Sequence, residues 1–262
     1  VGSEMCIRDS HGGTLDPFAE GLILILFGRA TKLMDYIGDE KEYVGVMKLG
    51  VVTDTDDPDG EIIEENEVPY LTMEEIKKVF SRFTGIFNQV VPLYSAVKKN
   101  GERLYNKARK GEKPEKLPYR EVLVKEFDLI DFSPPFLKFR CLARRGTYMR
   151  SLARDVGETL GCGAHLSKLI RLRVGPYEIE DSRKLCDIEK GDFEVIEFRK
   201  ALPHLKTITL GESAVWDFVH GGKVRGFYPK GLYQVKDNRG NLLGIGQGEI
   251  YAVQPVKVFA NT

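Results

Sequence analysis

One carboxylate stands out by its setting. In HGGTLDPFAEG, residues 11–21, Asp16 directly precedes Pro17 and follows the pair Gly12–Gly13. The residue before a proline is pushed out of the α region, so Asp16 is expected to be extended. Pro17 can then open a helical turn. Two readings fit. Asp16 is an N-cap, or it is a carboxylate held at a ligand site, where glycines permit close backbone approaches. As a glycosidase group it would need a second carboxylate at a set distance, and none is evident near the motif.

Three further stretches carry candidate chemistry. In RRGTYMRSLARD, residues 144–155, Gly146 and Thr147 open a predicted helix. Its N-terminus suits an anion, with Arg144 and Arg145 just before it. Arg150 and Arg154 share one flank, off the apolar stripe, and Tyr148 lies on the other. The stretch reads as a phosphate- or carboxylate-facing helix mouth, or as a solvated basic edge. An arginine brought close to a carboxylate favours its ionised form. In TDTDDPDGEI, residues 53–62, the acids suggest calcium, but the spacing refuses it. Counting from Asp54, Pro58 falls where an EF-hand needs its third ligand, and Gly60 falls one place late. The expectation is a solvated turn between strands. In PLYSAVKKNGERLYNKARKG, residues 92–111, Tyr94 and Tyr105 interleave with lysines and arginines. Stacking aromatics among cations suit RNA, although a basic helix with two core tyrosines looks the same.

The elements that must position these groups follow from periodicity. Leu22–Phe27 reads as a buried strand and Thr31–Ile37 as a short helix. Glu42–Leu49 alternates, with Tyr43, Gly45, Met47 and Leu49 on one face. Thr72 and Glu75 form a capping box for a helix whose core face is Ile76, Val79, Phe80 and Phe83. A loop is expected after Asn88, then a helix around Arg103–Arg109. Glu121–Ile130 and Phe136–Ala143 read as strands. Thr147–Leu160 is a helix with Met149, Leu152, Ala153, Val156 and Leu160 on one stripe and Gly161 as its C-cap. From Lys206 the chain turns to short strands punctuated by glycine and proline.

Composition narrows the class. The chain has 262 residues, 42% hydrophobic and 30% charged, which is ordinary for a globular protein with a sizeable core. No apolar run approaches a membrane span. Net charge is zero, yet Lys98–Arg120 holds nine basic residues against three acidic, and Lys138–Arg173 nine against two. Charge segregated in this way presents either a basic face for a partner or two solvated faces. Cys6, Cys141, Cys162 and Cys186 form no C-x-x-C, so a zinc site or disulfide framework is not expected. A reduced, cytoplasmic protein is expected. Residues 1–10, VGSEMCIRDS, show neither periodicity nor a signal pattern and read as a non-native scar.

The segments together resemble the bacterial tRNA pseudouridine-55 synthases of the TruB family. Four stretches carry the resemblance in order: HGGTLDPFAEGLILILFGRATKL, KEYVGVMKLGVVTDTDDPDGEI, VPLYSAVKKNGERLYNKARKG and RGTYMRSLARDVGETLGCGAHLSKLIRLRVGPY. They span most of residues 11–177. The resemblance implies a mixed α/β (α+β) fold with a mainly antiparallel sheet. Residues 11–205 would form the catalytic domain, and residues 206–262 a small β-rich PUA-like RNA-binding domain. The implied reaction turns one uridine of the tRNA T loop into pseudouridine, with no metal or organic cofactor. The implied partner is the T-arm stem-loop of tRNA, bound by a monomer.

Site roles carry over by position. Asp16 corresponds to the catalytic aspartate and Arg150 to the arginine that pairs with it. Tyr43 corresponds to the tyrosine that stacks on the target base and assists proton transfer at C5. Tyr148 corresponds to an active-site tyrosine near the sugar. His11 corresponds to the histidine that enters the T loop once the base is flipped out. Tyr94, Lys98, Arg103 and Tyr105 lie in the segment that would clamp the T stem through its phosphates. The family's usual strand and Lys-Pro-x-Gly segment before the histidine are replaced by VGSEMCIRDS, so lower stability through lost burial is expected. Two rivals keep an RNA partner. One is a guide-RNA-dependent pseudouridine synthase, the other a non-catalytic tRNA-binding or folding protein in which Asp16 and Arg150 are a structural ion pair.

Overall fold

The structure, a computed structural model, describes residues 9–95, 97–99, 102–109 and 116–259. These fall into two compact units. One comprises residues 14–23 and 39–181, the other residues 9–13, 24–38 and 182–259.

The first unit is built on one sheet. Its main strands are β1 (Glu40–Leu49), β2 (Gly85–Val90), β3 (Tyr119–Ser133), β4 (Phe136–Arg144) and β5 (Ala164–Val174). The order is β5–β1–β4–β3–β2, with Tyr177–Glu178 outside β5, and all these neighbours are antiparallel. Glu20–Gly21 adds to β5 in parallel, which makes the sheet mixed. Two helices pack on it, α1 (Met73–Arg82) and α2 (Met149–Leu160). The core lies between them and the sheet. Ile76 and Phe80 of α1 meet Leu152 and Val156 of α2 and Met47, Val124, Leu137 and Phe139 of the strands. Fully burying each such side chain contributes about 1.5–3 kcal/mol.

Local chemistry explains these elements. The alternation in β1 buries Tyr43, Gly45, Met47 and Leu49, as its period of two requires. Gly45 pairs with Phe139 across the sheet, and a Cβ there would sit 2.5 Å from the Phe139 ring. The glycine makes room for an aromatic ring. Thr72 and Glu75 form the capping box, with Thr72 N donating to Glu75 Oε2 at 2.8 Å. Gly161 ends α2 at φ +83°, the left-handed cap that glycine adopts freely. The basic stretch after Asn88 becomes a short hairpin, Lys98–Lys99 with Glu102–Arg103, followed by a helix at Leu104–Arg109.

Two expectations fail. Leu22–Phe27 is not one buried strand: pairing is confined to Glu20–Gly21 and Ile25–Phe27, and Ile23, Ile25 and Phe27 are exposed. The apolar run is divided between the two units, and a run of that length carries no register signal of its own. The helix after it is a 3-10 helix, Gly28–Tyr36.

The second unit also differs from the short strands expected. It holds β6 (Lys206–Leu210) and two long strands, β7 (Val224–Asp237) and β8 (Leu242–Val258), in the order β6–β7–β8. Register shifts between Arg225 and Gly231 absorb Gly226 and Pro229, so those residues mark bulges and not strand ends. β6 and β7 are parallel and need a crossover, supplied by helix α3 (Glu212–Val219), which buries Phe218. In the same unit Asp9–His11 pairs with Ile25–Phe27, and Arg29 stacks 4.2 Å over Phe198.

Candidate active site

The Asp16 segment is a turn, not a helix start. Ala19 N donates to Asp16 O at 2.9 Å, closing a four-residue turn with Pro17 in its second place. Proline presets φ for that place. The chain then runs into Glu20–Gly21 along β5. The N-cap reading of Asp16 is therefore replaced by a turn opener, with the carboxylate free to serve another group.

That group is Arg150. Its Nε donates to Asp16 Oδ2 at 3.0 Å and its Nη2 to Asp16 Oδ1 at 3.1 Å, a two-point fork. The remaining donors are also used. Nη1 donates to Thr55 O at 2.8 Å and lies 3.2 Å from Asp57 Oδ2; Nη2 donates to Tyr94 O at 2.9 Å. Arg150 is buried, whereas the Asp16 side chain is 35% exposed. One buried cation thus ties three separate segments together and presents a carboxylate to solvent. Arg150 arrives in the first turn of α2, whose start is clamped by buried Gln89. Gln89 accepts from Tyr148 N at 2.8 Å and donates to Tyr148 O at 3.1 Å.

Two tyrosines stand near this pair. Tyr43 is buried, and burial raises its hydroxyl pKa, with Arg171 opposing by donating a hydrogen bond to the phenol oxygen. Tyr148 is half-buried at the N-cap of α2, and its hydroxyl pKa is likewise raised by burial. Asp16 acts electrostatically on both.

Sequence reading missed the buried acids. The turn expected to be solvated is largely enclosed, with Asp56 and Asp57 buried. Asp57 pairs with Arg150, and Asp56 Oδ2 pairs with Arg154 Nη1 at 3.0 Å. Asp56 adopts φ +61°, a left-handed conformation that aspartate tolerates better than most residues. Its carboxyl is pushed up to about 6, chiefly by burial, against the pull of Arg154. Arg154 also pairs with Asp155 at 2.8 Å. The solvated basic edge is thus overturned for Arg150 and Arg154. A cleft of about 670 Å³ opens beside Arg154 and Asp56; neither Asp16 nor Tyr43 lines it. No local signal in the chain pairs these acids with arginines about a hundred residues away; only the fold brings them together.

Arg171 was missed as well. It is fully buried on β5, and its guanidinium donates to Leu22 O at 2.7 Å and Thr14 O at 3.3 Å. Those carbonyls flank the Asp16 turn.

The other expected residues are dispersed. Tyr94 contributes its carbonyl to Arg150, and Tyr105 N donates to Ser95 O at 3.1 Å. The side chains of Lys98 and Arg103 lie outside the described residues, as do Cys6 and residues 110–115. His11 belongs to the second unit, exposed, with Nδ1 accepting from Gly13 N at 3.3 Å. The basic stretch 138–173 is not a bare cationic face. Besides the buried arginines, Arg140 and Arg173 both pair with Glu42, and Arg144 pairs with Asp39.

The mixed, mainly antiparallel fold that carries this pair is shared with known proteins. Residues 6–149 match the family described as TruB family pseudouridylate synthase (N terminal domain), and residues 150–197 match the tRNA pseudouridylate synthase B C-terminal domain. The chain belongs to the TruB family. The match starts at residue 6, within the stretch read above as foreign. A protein named tRNA pseudouridine synthase B from Francisella philomiragia subsp. philomiragia is 45% identical over 189 residues, 71% of this chain and 62% of the relative. One of the same name from Dehalococcoides mccartyi is 38% identical over 221 residues, 82% and 73%. The chain therefore spans 62% of the length of the Francisella relative. Among solved structures, one described as a Cbf5-Nop10-Gar1 complex matches with a TM-score of 0.69 at 25% identity, over 97% of this chain and 77% of that one.

Proposed function

We propose that the chain converts the uridine at position 55 of the tRNA T loop to pseudouridine, as a stand-alone enzyme. The observation that carries this is the Asp16–Arg150 fork: a carboxylate oriented at two points, yet open to solvent. In the reaction the C1′–N1 bond breaks, the base turns, and C1′ joins C5. C5 loses its proton and N1 gains one. Asp16 starts this by attacking the nucleoside or by taking a sugar proton. Both routes need a carboxylate held at one angle to a flipped-out ribose. Arg150 supplies the angle. Tyr43 stacks against the base and serves the C5 proton, Tyr148 packs near the sugar, and His11 enters the T loop. Tyr94, Lys98, Arg103 and Tyr105 belong to the segment that grips the stem.

Residues 11–205 form the catalytic part in this reading, and residues 206–262 a PUA-like RNA-binding part. The enzyme works as a cytoplasmic monomer without metal or organic cofactor. No helix among the described residues is long and apolar enough to cross a membrane. Identity of 38–45% to proteins named tRNA pseudouridine synthase B supports the stand-alone form acting on tRNA.

The test is tritium release from a T-arm RNA carrying uridine labelled at C5, with parent and Asp16→Asn compared and the folding and RNA binding of both checked. Release by the parent alone is expected. Binding by both with release from neither would establish the non-catalytic RNA-binding role instead.

A further inference from the structure

Arg150 holds the carboxylate of Asp16, but a carboxylate is only as fixed as the backbone that carries it. The turn lies between Thr14 and Leu22, and its glycine-rich approach has little stiffness of its own. Arg171 closes that gap. Its Nε donates to Leu22 O at 2.7 Å and its Nη1 to Thr14 O at 3.3 Å, so one rigid plane grips both ends of the segment. The backbone repeats the hold: Leu22 N donates to Arg171 O at 2.9 Å, and Gly21 pairs with Arg171 in the parallel register. Gly21 has φ +110°, and a Cβ there would lie 2.3 Å from Arg171 O. Only glycine allows that approach. On the other side, Arg171 pairs with Tyr43 across β5 and β1, and its guanidinium donates to the Tyr43 hydroxyl.

We propose that Arg171 is a positioning residue for the reaction: it locks the Asp16 turn to Tyr43, so that the carboxylate and the tyrosine hydroxyl keep one fixed separation. This rests on the function proposed above. The choice of residue supports it. Arg171 is 1% exposed, and burying a cation is costly unless its donors are satisfied. If β5 needed only packing at this place, an apolar side chain would serve better. A lysine would keep the charge but not the planar spread of donors that reaches two carbonyls and a phenol at once.

The test compares the full chain with Arg171→Lys, Arg171→Gln and, as a control for lost stability, Phe80→Leu in the core beneath α1. Melting, T-arm RNA binding and single-turnover tritium release are measured. For Arg171→Lys we expect RNA affinity and KM within about threefold of the parent and kcat lower by about 30–100-fold, the loss that a small misplacement of a reacting group produces. Carboxyl-carbon NMR gives a readout independent of turnover. The Asp16 signal, identified by its loss in Asp16→Asn, is expected to shift in Arg171→Lys and to stay in place in Phe80→Leu. Arg171→Gln retains two donors without the charge and gives the same comparison should the lysine variant not fold. An unmoved Asp16 signal, or a kcat loss no larger than that of Phe80→Leu at equal stability, overturns the proposal. Absence of release from the parent would sink the proposed function, and the NMR comparison would still decide whether Arg171 holds the turn.

Discussion

Arg150 and Arg154 stand one turn apart on the same helix, and each binds a buried aspartate of the same acidic turn, Asp57 and Asp56 respectively. Their full sets of partners differ. Arg150 spends its fork on Asp16, whose side chain is 35% exposed, while Arg154 closes on Asp155, on Asp56, which is 12% exposed at its side chain, and on Val90 O at 3.2 Å. One arginine ends at a carboxylate that solvent and a ligand can reach. The other ends inside the protein. Asp16 is thus built as one more rung on a structural ladder, and a rigid ladder is what the near-attack geometry of the proposed reaction requires.

The largest difference is expected at the carboxylates. Asp16→Asn should lower single-turnover tritium release by at least about a thousandfold, as removal of a reacting group does, while Asp56→Asn should stay within about threefold of the parent. Equal losses would erase the distinction. Next is stability. Arg150→Ala leaves Asp57 buried without its cation and should cost about 3–5 kcal/mol in urea unfolding. A loss under 1 kcal/mol would mean that Asp57 is hydrated in the folded chain.

The third prediction concerns pH. Asp56 holds its proton up to about 6, well above the ordinary 3.8. Between about pH 4 and 6 the folded protein keeps a proton that the unfolded chain has released. Stability from this group is therefore greatest below that window, falls as pH rises through it, and is level above, by about 2–3 kcal/mol in all. Unfolding free energies measured from pH 4 to 7 should show this slope in the parent and lose it in Asp56→Asn. The smallest effect belongs to Arg154→Ala. Its pairs, at 12–19% side-chain exposure, are less deeply buried than Asp57 at 8%, so about 1–2 kcal/mol is expected, with kcat unchanged within about threefold. A loss of tritium release approaching that of Asp16→Asn would place Arg154 in the site after all.

How much of this was legible beforehand depends on the kind of signal. The α2 stripe, its glycine cap and the Thr72–Glu75 box are local patterns, and they appear in the fold, with α2 starting at Met149, two residues after the expected Thr147. The alternation of β1 placed Tyr43 on the buried face. The pairing of Asp16 with Arg150 was reached through the family motif; the local Asp-Pro signal alone favoured an N-cap. The acidic turn was misread, since acids in a turn with proline and glycine have the composition of a solvated loop. Nothing local reports that two arginines from residues 150–154 will fold over them. The long strands of the second unit were misread for a related reason: glycine and proline mark a bulge and a strand end with the same letters.

The sequence by itself determined the elements whose information is short-ranged: the capped helices, the alternating strand, the constrained Asp16 turn and the family that these motifs compose. Tertiary structure decided which charges face inward. Arg150, Arg154 and Arg171 have the composition of a basic surface in the chain and turn inward in the fold, where Arg150 and Arg171 frame the Asp16 turn. The reason is physical. A guanidinium is tolerated in the interior only when carboxylates and carbonyls from distant segments arrive together to satisfy its donors, and Asp16, Thr55, Asp57, Tyr94 and Arg150 meet only once the sheet is formed.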